Sequence, residues 1–294
     1  MVDARAQDEL GVAVAQFAPG ADQASNLAVM RELAGTAVAR GARIVVFPEY
    51  SSFFERRLGE ASVASAEALT GPFVTAIGRL AADLGVHIVA GMLERTADPD
   101  RVHNTLIAVD PAGKVVARYR KLHLYDAFGT RESDRVLAGL IEAPETFDVA
   151  GITVGLQTCY DIRFPEVTRR LVDAGADLVL VPAEWVRGPL KEQHWRTLVT
   201  ARALENTVYV AAADHAPPGG VGASMVVDPM GVELVTLGET TDVALAWISA
   251  ARLAEVRRTN PALVLRRFGT VPLEPACGST LARPPTISAT RRPT

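Results

Sequence analysis

Residues 151–167 read GITVGLQTCYDIRFPEV, and their patterning changes midway. Ile152, Val154 and Leu156 alternate with Thr153, Gly155 and Gln157, which predicts a strand with one apolar face. Pro165 suits a first helical position, and the residues before it are pushed towards extended geometry, so a helix opens there. Cys159 lies at the junction, at a strand's carboxyl end and beside helix N-terminal amides that favour a thiolate. Taken alone, the stretch leaves two readings of Cys159: a catalytic nucleophile, or a buried and inert thiol.

Outward from this junction, short apolar runs alternate with helical periods. Strands are predicted at 11–17, 43–50, 86–92, 102–110, 115–121, 177–185, 208–214 and 244–250. Helices are predicted at 26–40, from Gly71-Pro72 to about Leu84, from Pro165 to about Ala174 with Gly175 as its stop, at 190–205, and after the last strand to about Thr259. A hairpin over 224–237 turns on Asp228-Pro229-Met230-Gly231, while 51–70 and 122–139 read as loops. Hairpins interrupting a strand–helix alternation predict an α/β fold with mixed sheets, not a parallel barrel. No internal repeat is evident. We expect one domain over residues 1–268 and an extended or disordered tail over 269–294, which holds Cys277.

The 294 residues are 49% apolar and 22% charged, with a net charge of −4, which is ordinary globular composition and gives no footprint for nucleic acid or an anionic membrane. Two cysteines exclude a disulfide framework and fit a reducing compartment. The polar N-terminus does not read as a secretory signal, and no apolar run approaches the roughly 20 residues of a membrane span. We expect a cytoplasmic protein.

Glu49, Lys121 and Cys159 each follow an apolar strand, and strand carboxyl ends converge on the site in open α/β architectures. Together they form a working set: a carboxylate base, an ammonium for an oxyanion, and a thiol nucleophile, with the Tyr160 amide as a second oxyanion donor. Burial is expected to raise the Glu49 carboxyl and the thiol, and Lys121 to lower both.

FPEY at 47–50, YRKLHLYD at 119–126 and CYDIRFPEV at 159–167 resemble the three signature blocks of the nitrilase superfamily of carbon–nitrogen hydrolases, in the same order. The opening VAVAQFAPG at 12–20 and SMVVDPMG at 224–231 are similar too, so the resemblance spans residues 11 to 250. It implies an α-β-β-α sandwich that becomes four-layered on dimerisation, with no metal or organic cofactor. It implies Glu49 as base, Lys121 as the lysine and Cys159 as nucleophile. FGTRES at 128–133 resembles the segment carrying a second glutamate, which falls on Glu132.

The expected reaction is hydrolysis of a small aliphatic amide through a thioester, as in ω-amidases or deaminated-glutathione amidases. The alternatives are an N-carbamoyl-amine or N-carbamoyl-amino-acid hydrolase, a silent binding protein on the same fold, and a papain-like thiol enzyme, which needs a histidine partner. In related N-carbamoyl-amino-acid hydrolases an arginine four residues past the cysteine grips a carboxylate, which would make Arg163 a substrate contact. Its plainer reading is an ion-pair set with Asp161 and Glu166 that fixes the turn. Trp185, Tyr125, Phe128 and Phe54 are expected to line the pocket, or else to be core. Ala183-Glu184-Trp185 departs from the small-then-aromatic step expected of the amidase branch. His123 is expected to be structural, and His87, His103, His194 and His215 lack metal-ligand spacing. The expected partners are a small-molecule amide and a second copy of the chain in a homodimer or larger homo-oligomer.

Overall fold

A computed structural model describes residues 9–273; Cys277 and the rest of the tail lie outside them. The strands are β1 (Leu10–Gln16), β2 (Ile44–Val46), β3 (His87–Arg95), β4 (Val102–Val109), β5 (Val115–Arg120), β6 (Thr146–Val149), β7 (Ile152–Leu156), β8 (Leu178–Ala183), β9 (Tyr209–Asp214), β10 (Met225–Val227), β11 (Glu233–Thr236) and β12 (Asp242–Ile248). The helices are α1 (Gln23–Ala39), α2 (Glu60–Ala64), α3 (Pro72–Leu84), α4 (Pro165–Asp173), α5 (Lys191–Asn206) and α6 (Ala250–Thr259).

The strands form two six-stranded mixed sheets, in the orders β12-β1-β2-β3-β4-β5 and β11-β10-β9-β8-β7-β6. Period-two alternation makes the layers. In β1, Val12 and Val14 face the second sheet, where they join Val154, Leu156 and Leu180, whereas Ala13 and Ala15 pack beneath α1 and α3. On the second sheet, Val179, Val181 and Val210 pack with Trp195 and Val199 of α5 and Leu171 of α4. The result is an α-β-β-α sandwich whose central strands are buried on both faces, which is why they read as unbroken apolar runs.

Local chemistry sets the element ends. Asp22 caps α1 by accepting from the Ala24 and Ser25 amides. Pro72 and Pro165 open α3 and α4, and Gly85 ends α3 in the left-handed region at φ 69°.

The structure corrects several expectations. The 51–70 loop contains the short helix α2, and β3 runs on to Arg95. β6 was not foreseen: Phe147 and Val149 point inward from a strand too short for its period to stand out. The helix α4 begins at Pro165 as expected, and a 3-10 turn over Cys159–Arg163, which was not foreseen, precedes it.

The two sheets repeat one another. Each has three parallel strands flanked on one side by a single antiparallel strand and on the other by two. The registers agree, with Val12, Ile44 and His87 in one row and Val154, Leu178 and Tyr209 in the other. With the registers aligned in this way, GARIVVFPE at 41–49 falls on GADLVLVPA at 175–183, and both opening glycines have positive φ, 101° and 98°. The repeat that the sequence hides therefore sets Glu49 against Ala183 at equivalent strand exits, with Glu184 one residue further on.

Gly91 in β3 lets the chain after β2 pass at close range. A Cβ there would lie 2.5 Å from the Tyr50 nitrogen and 2.7 Å from Glu49 Cα. Gly91→Ala is therefore expected to lower stability by about 1–3 kcal/mol through overpacking, and to cut turnover on the order of 100-fold by displacing Glu49. Melting curves and steady-state rates on the same preparation check both effects.

Candidate active site

Glu49 is carried into the space between the sheets by the exit from β2, where Tyr50 turns the chain at φ 56°. Its Oε1 accepts from Lys121 Nζ at 2.9 Å and from Asn104 Nδ2 at 2.6 Å, and its Oε2 accepts from the Glu184 amide at 2.6 Å. His215, at the end of β9, donates from Nε2 to the Glu49 carbonyl at 2.6 Å and so pins the backbone. Burial holds the His215 imidazole neutral, with its pKa lowered to about 4.

Lys121 follows β5 and is completely dry. It bridges Glu49 and Glu132, with Nζ 2.9 Å from each carboxylate. Glu132 opens a 3-10 turn in the long 122–139 loop. It is fixed by the Tyr50 hydroxyl at 2.5 Å and the Tyr125 amide at 2.6 Å. The buried network thus joins two carboxylates through one ammonium.

Cys159 follows β7, is buried, and sits at φ 45°, a left-handed conformation that costs a non-glycine residue about 1–2 kcal/mol. Its thiol donates to the Glu184 carbonyl at 3.5 Å, and the Glu184 amide donates to Glu49, so the backbone of one residue links nucleophile and base. The Tyr160 amide has no hydrogen-bond partner among the described residues.

The electrostatics differ in one respect from the expectation. Burial first, then the Glu49 charge, push the Cys159 thiol well above its usual range, and Lys121 only partly opposes them. Cys159 opens the 3-10 turn, which ends before α4 begins at Pro165. Burial also raises the Glu49 carboxyl against the pull of Lys121, which brings a base closer to neutrality. Burial opposes charge on Glu132 as well, but Lys121 and the Tyr50 and Tyr125 donors hold it below its ordinary value of 4.5. Burial, and then the Glu49 and Asp214 charges, push the Glu184 carboxyl well above its usual range.

A depressed carboxylate adds stability at pH values above its unfolded value, and that contribution is lost as pH falls through the folded value. Unfolding free energy is therefore expected to fall steeply below about pH 4.5, the unfolded value for Glu132. The pH slope there should be shallower in Glu132→Gln; denaturant titrations across that range check it.

The other expected residues divide into two groups. Trp185 is buried and donates from Nε1 to the Lys191 carbonyl. Tyr125, Tyr160 and Phe128 gather beside it, with Phe128 71% exposed and so no part of the core. Phe54 stands apart, edge-on to His215 at 4.7 Å on the Glu49 side. Arg163 makes no ion pair with Asp161 or Glu166. Its guanidinium lies 4.9 Å from the Trp185 ring centre, and Nη2 is 3.5 Å from His194 Nδ1. Asp161 fixes the turn by other means, accepting from Tyr119 at 2.7 Å and from both the amide and Nδ1 of His123. His123 also stacks on Phe164 at 3.7 Å, a structural role.

Sequence reading missed Tyr50, Asn104, His215 and Lys191. His215 satisfied the same strand-exit rule that selected Glu49, and Asn104 is a polar residue inside an apolar strand. Among the described residues, no group of three or more His, Cys, Asp or Glu is set to hold a metal, and no helix is long and apolar enough to cross a membrane.

The Carbon-nitrogen hydrolase family pattern matches residues 11–258. A deaminated glutathione amidase of Escherichia coli O157:H7 is 39% identical over 259 residues, covering 87% of this chain and 97% of its own. The rat protein of the same name is 34% identical over 272 residues, covering 87% and 82%. The crystal structure of Saccharomyces cerevisiae Nit3, a nitrilase-superfamily member, superposes with a TM-score of 0.79 at 25% identity, covering 89% of this chain and 97% of that one. The C. elegans NitFhit protein gives a TM-score of 0.81 at 28% identity over 88% of this chain and 65% of that longer one. The chain is a hydrolase of carbon–nitrogen bonds other than peptide bonds, and it belongs to the carbon–nitrogen hydrolase family, within the amidase-type part of the nitrilase superfamily.

Proposed function

We propose that the protein hydrolyses the amide of a small aliphatic acid through a thioester on Cys159, with a substrate of the ω-amidase or deaminated-glutathione type. The observation that carries this is the dry Glu49–Lys121–Glu132 network beside a buried thiol. The names of the bacterial and rat relatives support the substrate class.

Glu49 takes the thiol proton as sulfur bonds to the amide carbon. The carbonyl electrons move to oxygen, where Lys121 Nζ and the Tyr160 amide hold the negative charge. As the oxyanion collapses, the C–N bond breaks and Glu49 returns its proton to the leaving nitrogen. Water then attacks the thioester, giving a proton to Glu49; the acid leaves and the thiolate regains that proton. Glu132 keeps Lys121 charged and in place throughout. A raised Glu49 suits both of its duties, since it must accept a proton and return it within each half-reaction.

The exposed apolar side chains Leu204, Met230, Val232 and Leu234 lie where α5 meets the β10–β11 hairpin, with Gly231 packed on Leu204. They support a homodimer or larger homo-oligomer, which sedimentation would test. The low cysteine content supports a cytoplasmic location.

The test of the reaction is amine release from a panel of 2-oxoglutaramate, deaminated glutathione, glutamine, an N-carbamoyl amine and a nitrile. Cleavage of the acidic amides, with the N-carbamoyl compound and the nitrile untouched, is the expected result. Carbon dioxide and ammonia released from the N-carbamoyl compound alone would replace this reading, and silence across the panel would point to a binding protein.

A further inference from the structure

The nucleophile and the lysine come from different sheets. Cys159 follows β7 of the second sheet, and Lys121 follows β5, an edge strand of the first. A β-ladder fixes neighbours within one sheet. No backbone register therefore sets Lys121 against the 3-10 turn that carries Cys159 and the Tyr160 amide. Side chains must do it, because an oxyanion shared by Lys121 and the Tyr160 amide needs both donors within about 3 Å of one point.

Asp161 spans this gap. It follows Tyr160 in the turn, and its carboxylate is buried. Oδ2 accepts from the Tyr119 hydroxyl at 2.7 Å. Oδ1 accepts from the His123 amide at 2.9 Å and from His123 Nδ1 at 2.7 Å. Tyr119 lies two residues before Lys121 and His123 two residues after it, so one carboxylate grips the chain on both sides of the lysine. Among the described residues, every hydrogen bond between the turn over Cys159–Arg163 and residues 119–126 ends on Asp161. Burial, and then the Asp161 charge, push the Tyr119 phenol well above its ordinary value of 10, which keeps it a donor.

A turn can be capped without a charge, and a buried carboxylate is costly. Among the described residues the only basic side chain paired with Asp161 is the His123 ring. What a carboxylate adds over a neutral cap is acceptor capacity, and most of it is spent on the lysine's strand, with a long bond of 3.4 Å left for the Thr158 amide. The turn has support elsewhere, since Arg202 Nε of α5 donates to the Ile162 carbonyl at 2.9 Å. The link from thiol to base also runs elsewhere, through Glu184.

We propose that Asp161 is the positioning residue of the oxyanion site: through Tyr119 and His123 it sets the Lys121 ammonium against the Tyr160 amide. The proposal rests on the amidase reading above and deepens it. Asp161 acts through these two donors and moves no proton itself. Loosening it lets the donors separate, and a misplacement of about 1 Å costs about 100-fold in rate.

The test compares turnover with alkylation. Iodoacetamide forms a carbon–sulfur bond on Cys159 as iodide leaves and the thiol proton passes to Glu49, so it needs nucleophile and base but no oxyanion donor. Asp161→Asn is expected to lower kcat on the best panel substrate about 100-fold, and Tyr119→Phe about 10-fold, with KM unchanged. Iodoacetamide should inactivate both variants at the parent rate. In a Lys121→Met background Tyr119→Phe should cost nothing further, because the donor it helps to place is gone. Should Asp161→Asn fail to fold, Tyr119→Phe, which loses one hydroxyl, carries the test. Alkylation slowed in step with turnover would mean that Asp161 only fixes the turn, and would overturn the proposal. So would an unchanged kcat, or an equal cost of Tyr119→Phe with and without Lys121. Failure of the amidase reading would show separately, as no Cys159-dependent turnover by the parent, and would take the proposal with it.

Discussion

Cys159→Ala is expected to lower kcat by at least about 10⁴-fold, the size of loss seen when a covalent nucleophile is removed. No other described cysteine is available to replace it. Without the thiol no thioester forms, so the route that Glu49 serves in both half-reactions is closed. Stability should barely change, since the thiol's hydrogen bond to the Glu184 carbonyl is long and weak. The left-handed backbone at position 159 strains alanine as it strains cysteine. Full loss of rate with an unchanged melting temperature therefore separates chemistry from folding; stopped-time product assays and calorimetry on one preparation check it.

Lys121→Met is expected to cost both rate and stability. Among the described residues the ammonium is the only cation paired with Glu49 or Glu132, 2.9 Å from each carboxylate and 2% exposed. Removing one partner of a buried ion pair leaves uncompensated charge and costs about 3–5 kcal/mol, which for a chain of this size lowers the melting temperature by roughly 6–20 °C. Burial disfavours the ammonium, yet Glu132, Glu49 and Cys159 raise its pKa well above the ordinary 10.5. Its stabilisation is therefore present below pH 10.5 and lost only as pH rises through the higher folded value, so the variant lacks it at neutral pH. Acid should partly rescue the variant's stability, because protonating Glu49 relieves the two-carboxylate repulsion. The rate falls by about 10²–10³-fold from loss of the oxyanion donor, and acid does not restore it. Melting temperature against pH, paired with kcat at each pH, distinguishes the two effects.

Much of this arrangement was legible in the sequence, for a physical reason. Glu49, Lys121 and Cys159 each terminate an apolar strand, and strand exits of one sandwich end converge. Glu132 became legible only through the resemblance of 128–133 to a known segment, because a loop has no period to read. Asn104 and Tyr50 were missed because their value lies in contacts across 28 to 82 residues of chain, which no local pattern records. The repeat of β1–β2–β3 by β7–β8–β9 was hidden because both units need only apolar strands of similar length, a requirement that many sequences meet. Glu184 shows the consequence: its place one residue past the counterpart of Glu49 appears only when the two registers are aligned. For Cys159 the sequence names the opposing influences but not their balance. Burial and then the Glu49 charge push the thiol up, and Lys121 opposes them only in part.

The most direct test of the central claim is intact-protein mass spectrometry on acid-quenched turnover of the best panel substrate. A transient mass increase equal to the acyl group, located by peptide mapping on Cys159 and absent from Cys159→Ala, is the predicted result. Turnover that persists in Cys159→Ala, or an acyl group found on another residue, would contradict it.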